Sequence, residues 1–403
     1  MHGTRRLSKE ERDMEYERLT IDLRDDRWFF LNTLFSVSEG CLYAQLVDRL
    51  DSGELLEQCQ PPFDYDRCSS YRQLHRAVSK ALFKAHVQGK LKDEVMQDPI
   101  RFMNTDAAFP RTLLEQRVAG KKLALITNSD FVYTCTIMKH AYDPFLPDGM
   151  SWRDLFHVVV VSAAKPDFFT TRYRPVYEIV TNDGMMREAY QLKEGRIFAG
   201  GNAKMLEKVF GCSGKQVLYV GDHIFTDVNM AKRGLSWRTC LIMQELEAEV
   251  LGIEDGKERT GKVHRLYRQM DEQSSVLNYL ETKLDSHRQR HGGMPNSTSR
   301  LSYDAMEGAV EQLRGSIEAL EAEIHLLLWD DGAHVNKHWG YATRAGFADK
   351  SHLMRQIEKY ADIYTSRVSN FQSYTPYKHF ICGQQSLAHD RDDMFQHFKV
   401  TEI

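Results

Sequence analysis

The stretch Gln216-Val217-Leu218-Tyr219-Val220-Gly221-Asp222-His223-Ile224-Phe225-Thr226-Asp227-Val228 decides how this chain is read. Val217–Val220 is a short apolar run closed by a glycine, and two carboxylates stand five apart just beyond it. Such a run, bounded by a turn former, suits a strand buried on both faces. Carboxylates on a tight turn at its end can place oxygen ligands around a hard cation such as Mg²⁺. An N-capping aspartate followed by a surface aspartate is the plainer alternative.

Runs of the same kind occur at Lys122–Thr127, Val158–Val161, Arg196–Ala199 and Thr239–Met243, with helical or loop segments between them. Strands apolar on both faces and spaced by helices predict a parallel sheet covered on each side. In such sheets functional residues gather past the carboxyl ends of the strands. Two further ends carry chemistry. In Ile126-Thr127-Asn128-Ser129-Asp130 the Thr127 hydroxyl can donate to a phosphoryl oxygen, supported by neighbouring backbone N–H groups; the same residues also suit an ordinary turn. In Val161-Ser162-Ala163-Ala164-Lys165-Pro166-Asp167-Phe168-Phe169 the Lys165 ammonium can neutralise a phosphate, or it can be a solvated surface lysine.

Outside these runs the pattern changes. Arg27 to Phe35 is dense in aromatic and apolar residues, and Leu42, Leu46, Val47 and Leu50 follow with helical spacing. Residues 52–69 hold Pro61-Pro62 and other turn formers and read as a loop; residues 71–92 read as a helix ending near Gly89. From Val263 to Leu327, apolar residues recur at three-four spacing on both sides of Gly292-Gly293-Met294-Pro295-Asn296, with Gln273 the one polar interruption of the first run. That pattern predicts an antiparallel helical hairpin, packed on itself or the core, or joining like chains. Residues 335–403 are rich in aromatics and histidine without a clean period.

Composition narrows the partners. The 403 residues carry 53 Lys+Arg against 57 Asp+Glu, a net charge of -4 that offers no basic excess for a nucleic-acid polymer. With 42% apolar and 27% charged residues, the chain is globular. It holds no apolar run long enough to span a bilayer, and Met1-His2-Gly3-Thr4-Arg5-Arg6 leads into no signal-peptide core. Seven scattered cysteines without a C-x-x-C pair point to a reducing, cytoplasmic setting and no zinc site.

Hydroxyl, then lysine, then paired carboxylates, each closing a successive strand, is the order of the haloacid dehalogenase superfamily. Within it the chain resembles the cytosolic purine 5′-nucleotidase family. The likeness includes Arg24-Asp25-Asp26, Asn32-Thr33-Leu34-Phe35, Ile126-Thr127-Asn128-Ser129-Asp130, Lys165-Pro166 with Phe168-Phe169, and Gly221-Asp222-His223-Ile224-Phe225. It extends to Arg238-Thr239 leading to Glu245-Leu246, and to Tyr360-Ala361-Asp362-Ile363-Tyr364. The resemblance implies an α/β fold: a Rossmannoid parallel sheet with a helical cap and a helical-hairpin insert. It also implies hydrolysis of nucleoside 5′-monophosphates through an aspartyl-phosphate, with Thr127 binding the phosphoryl group and Lys165 stabilising it. Asp222 would coordinate Mg²⁺ and Asp227 would support the metal shell. Asn128, Asn32, Phe35 and His86 would contact substrate. Ser79 and Phe83 stand where the purine-selective enzymes carry an arginine and an aspartate, so either the base preference differs or both residues face the cap interior.

The family's first motif, Asp-x-Asp-x-Thr after an apolar strand, has no counterpart. Asp64-Tyr65-Asp66 follows Gln60-Pro61-Pro62-Phe63 rather than a strand, and Asp25-Asp26 fails for the same reason. The expectation is a chain shortened at its start, lacking the nucleophile and the central first strand. The strands bearing Thr127 and Asp222 should then face each other across a gap, at roughly 1–3 kcal/mol per buried backbone group left unpaired. The alternative is a non-catalytic scaffold that assembles through the hairpin. The expected layout is 1–30 as an N-terminal remnant, 31–115 as cap, 116–260 as core, 261–330 as hairpin, and 331–403 as a C-terminal segment on the core.

Overall fold

Val158–Val161 shows why the core forms where it does. All four valines are buried, and alternate ones enter different clusters: Val158 and Val160 pack with Phe168, Phe198 and Trp237, while Val159 and Val161 pack with Phe131, Trp152 and Leu155. A strand whose successive side chains point to opposite faces can be apolar throughout only if both faces are covered. The computed structural model of the chain describes residues 1–16, 22, 24–25, 27–31, 33–55, 70–87, 89–290, 297–329, 332–347 and 349–380.

The strands, in chain order, are β1 (Ala124–Ile126), β2 (Val158–Val161), β3 (Val176–Ile179), β4 (Met186–Ala189), β5 (Arg196–Gly200), β6 (Leu218–Gly221), β7 (Arg238–Ile242), β8 (Arg344–Ala345), β9 (Asp349–Lys350) and β10 (Ile363–Thr365). They form a five-stranded sheet in the order β1-β2-β5-β3-β4, a three-stranded sheet in the order β10-β7-β6, and the small pair β8-β9. β1, β2 and β5 run parallel, as do β6, β7 and β10. The five expected runs are all strands, so the α/β class with a parallel-containing sheet holds. An antiparallel ribbon, β3–β4, extends the larger sheet, and β10 adds an outer strand to the smaller one. The sheet is therefore mixed rather than wholly parallel.

β1 ends one sheet and β6 ends the other, and among the described residues neither edge pairs with anything further. Among the described residues no rearranged pairing joins the Thr127 strand to the Asp222 strand.

Contacts divide the chain into two units, Met1–Gln244 with Gln356–Ile403, and Glu245–Arg355. In the second, the helices Lys257–Arg290 and Ser297–Trp329 lie antiparallel; ion pairs Lys262–Glu323 (2.7 Å), Glu281–Arg314 (2.6 Å) and Arg288–Glu307 (3.1 Å) fix the register. Val263, Leu266, Leu320 and Ile324 form its buried seam. Buried Glu249 accepts the backbone N–H groups of Ala342 and Thr343, tying the loop after the hairpin to the helix Leu246–Asp255. In the first unit, the helices Phe35–Asp51 and Tyr71–Val87 pack together before β1. Ser79 is half-buried and donates to Glu39, whereas Phe83 is 71% exposed, so only one of the two faces inward. Among the described residues no helix is long and apolar enough to cross a membrane.

His157, just ahead of β2, accepts the Leu123 N–H at its Nδ1 (3.1 Å) beside the Arg117 guanidinium. Burial first, then the Arg117 and Lys122 charges, hold its pKa below the usual histidine value. The unfolded chain therefore takes up this proton first as pH falls. His157's stabilising contribution is complete above about pH 6.5 and is lost on acidification below it. Wild type should lose more in urea midpoint between pH 7.5 and 5.5 than His157→Gln does; equal losses would refute this.

Candidate functional site

The loop leaving β2 is bound to the turn leaving β1. Ser162 donates its N–H to the Ser129 carbonyl (2.8 Å), and fully buried Ala163 donates to the Thr127 carbonyl (2.9 Å). Ser162 and Ala164 flank Ala163 with φ of 47° and 51°. Left-handed backbone costs a residue with a Cβ about 1–2 kcal/mol, a strain that tends to persist where function needs the geometry. The consequence is that Lys165 is delivered to the mouth of β1. Asn128 holds it there, its Oδ1 accepting the Lys165 N–H (2.6 Å) and its Nδ2 donating to the Lys165 carbonyl (3.2 Å). Thr127 Oγ1 accepts the Ser129 N–H (3.1 Å), which leaves the hydroxyl proton to be given elsewhere.

From the other sheet, β6 ends at Gly221 and the chain enters the π-helical turn Ile224–Asn229. His223 Nδ1 caps that turn by accepting the N–H groups of Phe225 and Thr226, both at 3.1 Å. Wider π turns recur at functional sites because they re-aim a side chain. Here the turn folds Asp227 back on the strand end, its Oδ2 accepting the His223 N–H (3.3 Å). The fit is so close that a Cβ built on Gly221 would sit 2.7 Å from Asp227 Cβ.

The polar contact between the two halves is made by Lys165. Lys165 Nζ lies 2.9 Å from Asp227 Oδ1, with the two side chains 15% and 3% exposed. The Tyr219 hydroxyl, from β6, donates to the same Oδ1 (3.3 Å) and accepts from Lys165 Nζ (3.2 Å). Burial, then the Asp227 carboxylate, push the Tyr219 phenol well above its ordinary pKa, so it stays a donor. Asp222, at the exposed start of the turn, has its carboxyl raised by desolvation among the surrounding turns and then by Asp227; Lys165 only partly opposes this.

Thr127, Asn128, Lys165, Asp222 and Asp227 thus stand on the joined ends of β1, β2 and β6. Phe35 and His86 lie on the helices Phe35–Asp51 and Tyr71–Val87, where the structure describes backbone only. Asn32 lies outside the described residues, as does Asp64-Tyr65-Asp66. Two residues at this place went unnoticed in the sequence. Tyr219 is one; a tyrosine within an otherwise aliphatic run was its only signal. The other is Lys92, on the helix Lys90–Gln97, which pairs with Asp130 at the far end of the Thr127 turn: its Nζ lies 3.2 Å from Asp130 Oδ2 and 5.2 Å from the Tyr133 ring centroid.

Asp227 is already occupied by three donors, whereas Asp222 forms no hydrogen bond to a side chain among the described residues. A hard carboxylate at the exposed start of the turn, beside a second carboxylate, suits a divalent cation that takes its remaining ligands from water and phosphate oxygens. It does not suit an all-protein cage: among the described residues no three His, Cys, Asp or Glu side chains converge as metal ligands.

A family model described as the 5′ nucleotidase family matches residues 1–392. A 5′-nucleotidase domain-containing protein of Dictyostelium discoideum is 26% identical over 399 residues, covering 96% of this chain and 59% of that protein. The 5′-nucleotidase domain-containing protein 2 of Homo sapiens is 32% identical over 220 residues, covering 54% of this chain and 38% of that protein. The chain spans less than two thirds of the length of either relative.

Proposed function

This chain belongs to the 5′ nucleotidase family, and on that premise we propose that the joined ends of β1, β2 and β6 bind the phosphate of a nucleoside 5′-monophosphate for hydrolysis. The single observation that carries the reading is the Lys165–Asp227 contact, made between the segments that follow strands of different sheets, beside the Thr127 turn. A cation held against a buried carboxylate and next to backbone donors is how a site offsets charge on a transferring phosphoryl group.

In this reading Thr127 donates its hydroxyl proton to a phosphoryl oxygen, and Lys165 directs an N–H toward the same group. Asn128 keeps the lysine's backbone in place. Asp222 would hold Mg²⁺, with Asp227 supporting it; such an ion supplies charge neutralisation at the phosphoryl oxygens. The attacking group would be an aspartate at the end of a strand seated between β1 and β6, in a haloacid dehalogenase-like arrangement. The two open parallel edges support that placement, and no described side chain takes the role. A cytoplasmic setting belongs to the same proposal, in keeping with the free thiols of Cys41, Cys135, Cys212 and Cys240.

The test measures the binding of Mg²⁺ and of purine and pyrimidine monophosphates by calorimetry. Asp222→Asn should weaken Mg²⁺ binding roughly tenfold to hundredfold. Unchanged Mg²⁺ binding in Asp222→Asn, together with a chain that binds no monophosphate, would overturn the reading in favour of a scaffold.

A further inference from the structure

We propose that Tyr219 is a positioning residue: its hydroxyl, held between the Lys165 ammonium and the Asp227 carboxylate, fixes the direction in which the lysine offers its remaining N–H to a phosphoryl oxygen. The inference rests on the phosphate-binding reading above and deepens it.

An ammonium has three donors and no intrinsic orientation, because its long stem rotates freely. One acceptor would tether the Lys165 head without aiming it. Two acceptors do aim it: Asp227 Oδ1 at 2.9 Å and the Tyr219 oxygen at 3.2 Å take two of its protons and leave the third a single direction. Tyr219 closes the triangle by donating to Asp227 Oδ1 at 3.3 Å.

The phenol ring is itself immobile. It is 7% exposed, meets Phe169 edge-on at 5.0 Å between centroids, and lies 6.1 Å from the Trp237 ring. Phe169 lies in the short helix Asp167–Thr170 that follows Lys165, while Trp237 immediately precedes β7. The ring therefore spans the two sheets whose edges do not hydrogen-bond. Phenylalanine would fill this volume equally well; a buried hydroxyl is kept only where it finds partners. Both partners here belong to the site.

Calorimetric titration of the 403-residue chain with inorganic phosphate in excess Mg²⁺ tests this on wild type, Tyr219→Phe and Trp237→Phe, with thermal melts run in parallel. Tyr219→Phe should raise the phosphate Kd by roughly tenfold, the scale of one hydrogen bond to a charged group, while melting within a few degrees of wild type. Trp237→Phe alters the packing beneath the same ring but no hydroxyl; it should melt lower and bind phosphate as wild type does. Wild-type affinity in Tyr219→Phe, or an equal loss in both variants, overturns the positioning role. Wild type that ignores phosphate altogether overturns the phosphate-binding reading itself, a distinct result.

Discussion

Lys165→Met is expected to lower the unfolding free energy by about 3–5 kcal/mol, the usual cost of removing one partner from a buried ion pair. The size follows from the acceptor left behind. Asp227 is 3% exposed at its side chain, and among the described residues its charge is then met by the Tyr219 hydroxyl and the His223 N–H alone. Methionine keeps the length and bulk of the lysine stem, so lost packing contributes little. Adding Asp227→Asn should recover most of the deficit, because replacing both members of a buried pair is far cheaper than orphaning one. Urea denaturation of the wild type, both single variants and the double variant measures the coupling. A Lys165→Met loss below about 1 kcal/mol, the range of exposed pairs, would mean that water screens this contact.

Trp237→Ala should cost a similar amount, about 3–5 kcal/mol, for a different reason. The indole is completely buried and packs against Phe169 and Tyr219, each 6.1 Å away between centroids. Truncation leaves a cavity beneath the site and takes one donor from Glu207, a buried carboxylate that accepts the indole N–H at 2.8 Å and is then left with the Lys204 ammonium at 2.7 Å. Trp237→Phe restores much of the volume but not the donor, so it should fall between wild type and Trp237→Ala. If the two variants proved equally unstable, the Glu207 bond rather than the cavity would carry the loss.

The parts of the fold legible in the sequence were those whose burial is written locally. β1, β2, β5, β6 and β7 stand out because strands covered on both faces must be apolar at nearly every position. β3 (Val-Tyr-Glu-Ile) and β4 (Met-Arg-Glu-Ala) did not, because they form an antiparallel ribbon at a sheet margin, where β4 is mostly exposed. β10 is three residues long and pairs with β7 more than 120 positions earlier in the chain, a contact no local pattern announces.

The same divide runs through the site. Thr127, Lys165, Asp222 and Asp227 each close or follow an apolar run, so they could be found one at a time. Tyr219 and Lys92 could not. Their meaning depends on which side chains lie opposite, and a sequence read along its length does not say. Asn128 was legible as a polar residue in the right turn, but its grip on the Lys165 backbone required coordinates.

Gly221 carries a consequence for how this sequence can drift. With Asp227 doubled back against its α-carbon, position 221 tolerates no substituent, because even a methyl group would displace the carboxylate that holds the lysine. Strand end, turn length and second aspartate are thus bound into one heritable block. Insertions and substitutions elsewhere can reshape what the molecule accepts, but Gly221, the length of the turn and Asp227 have to pass together.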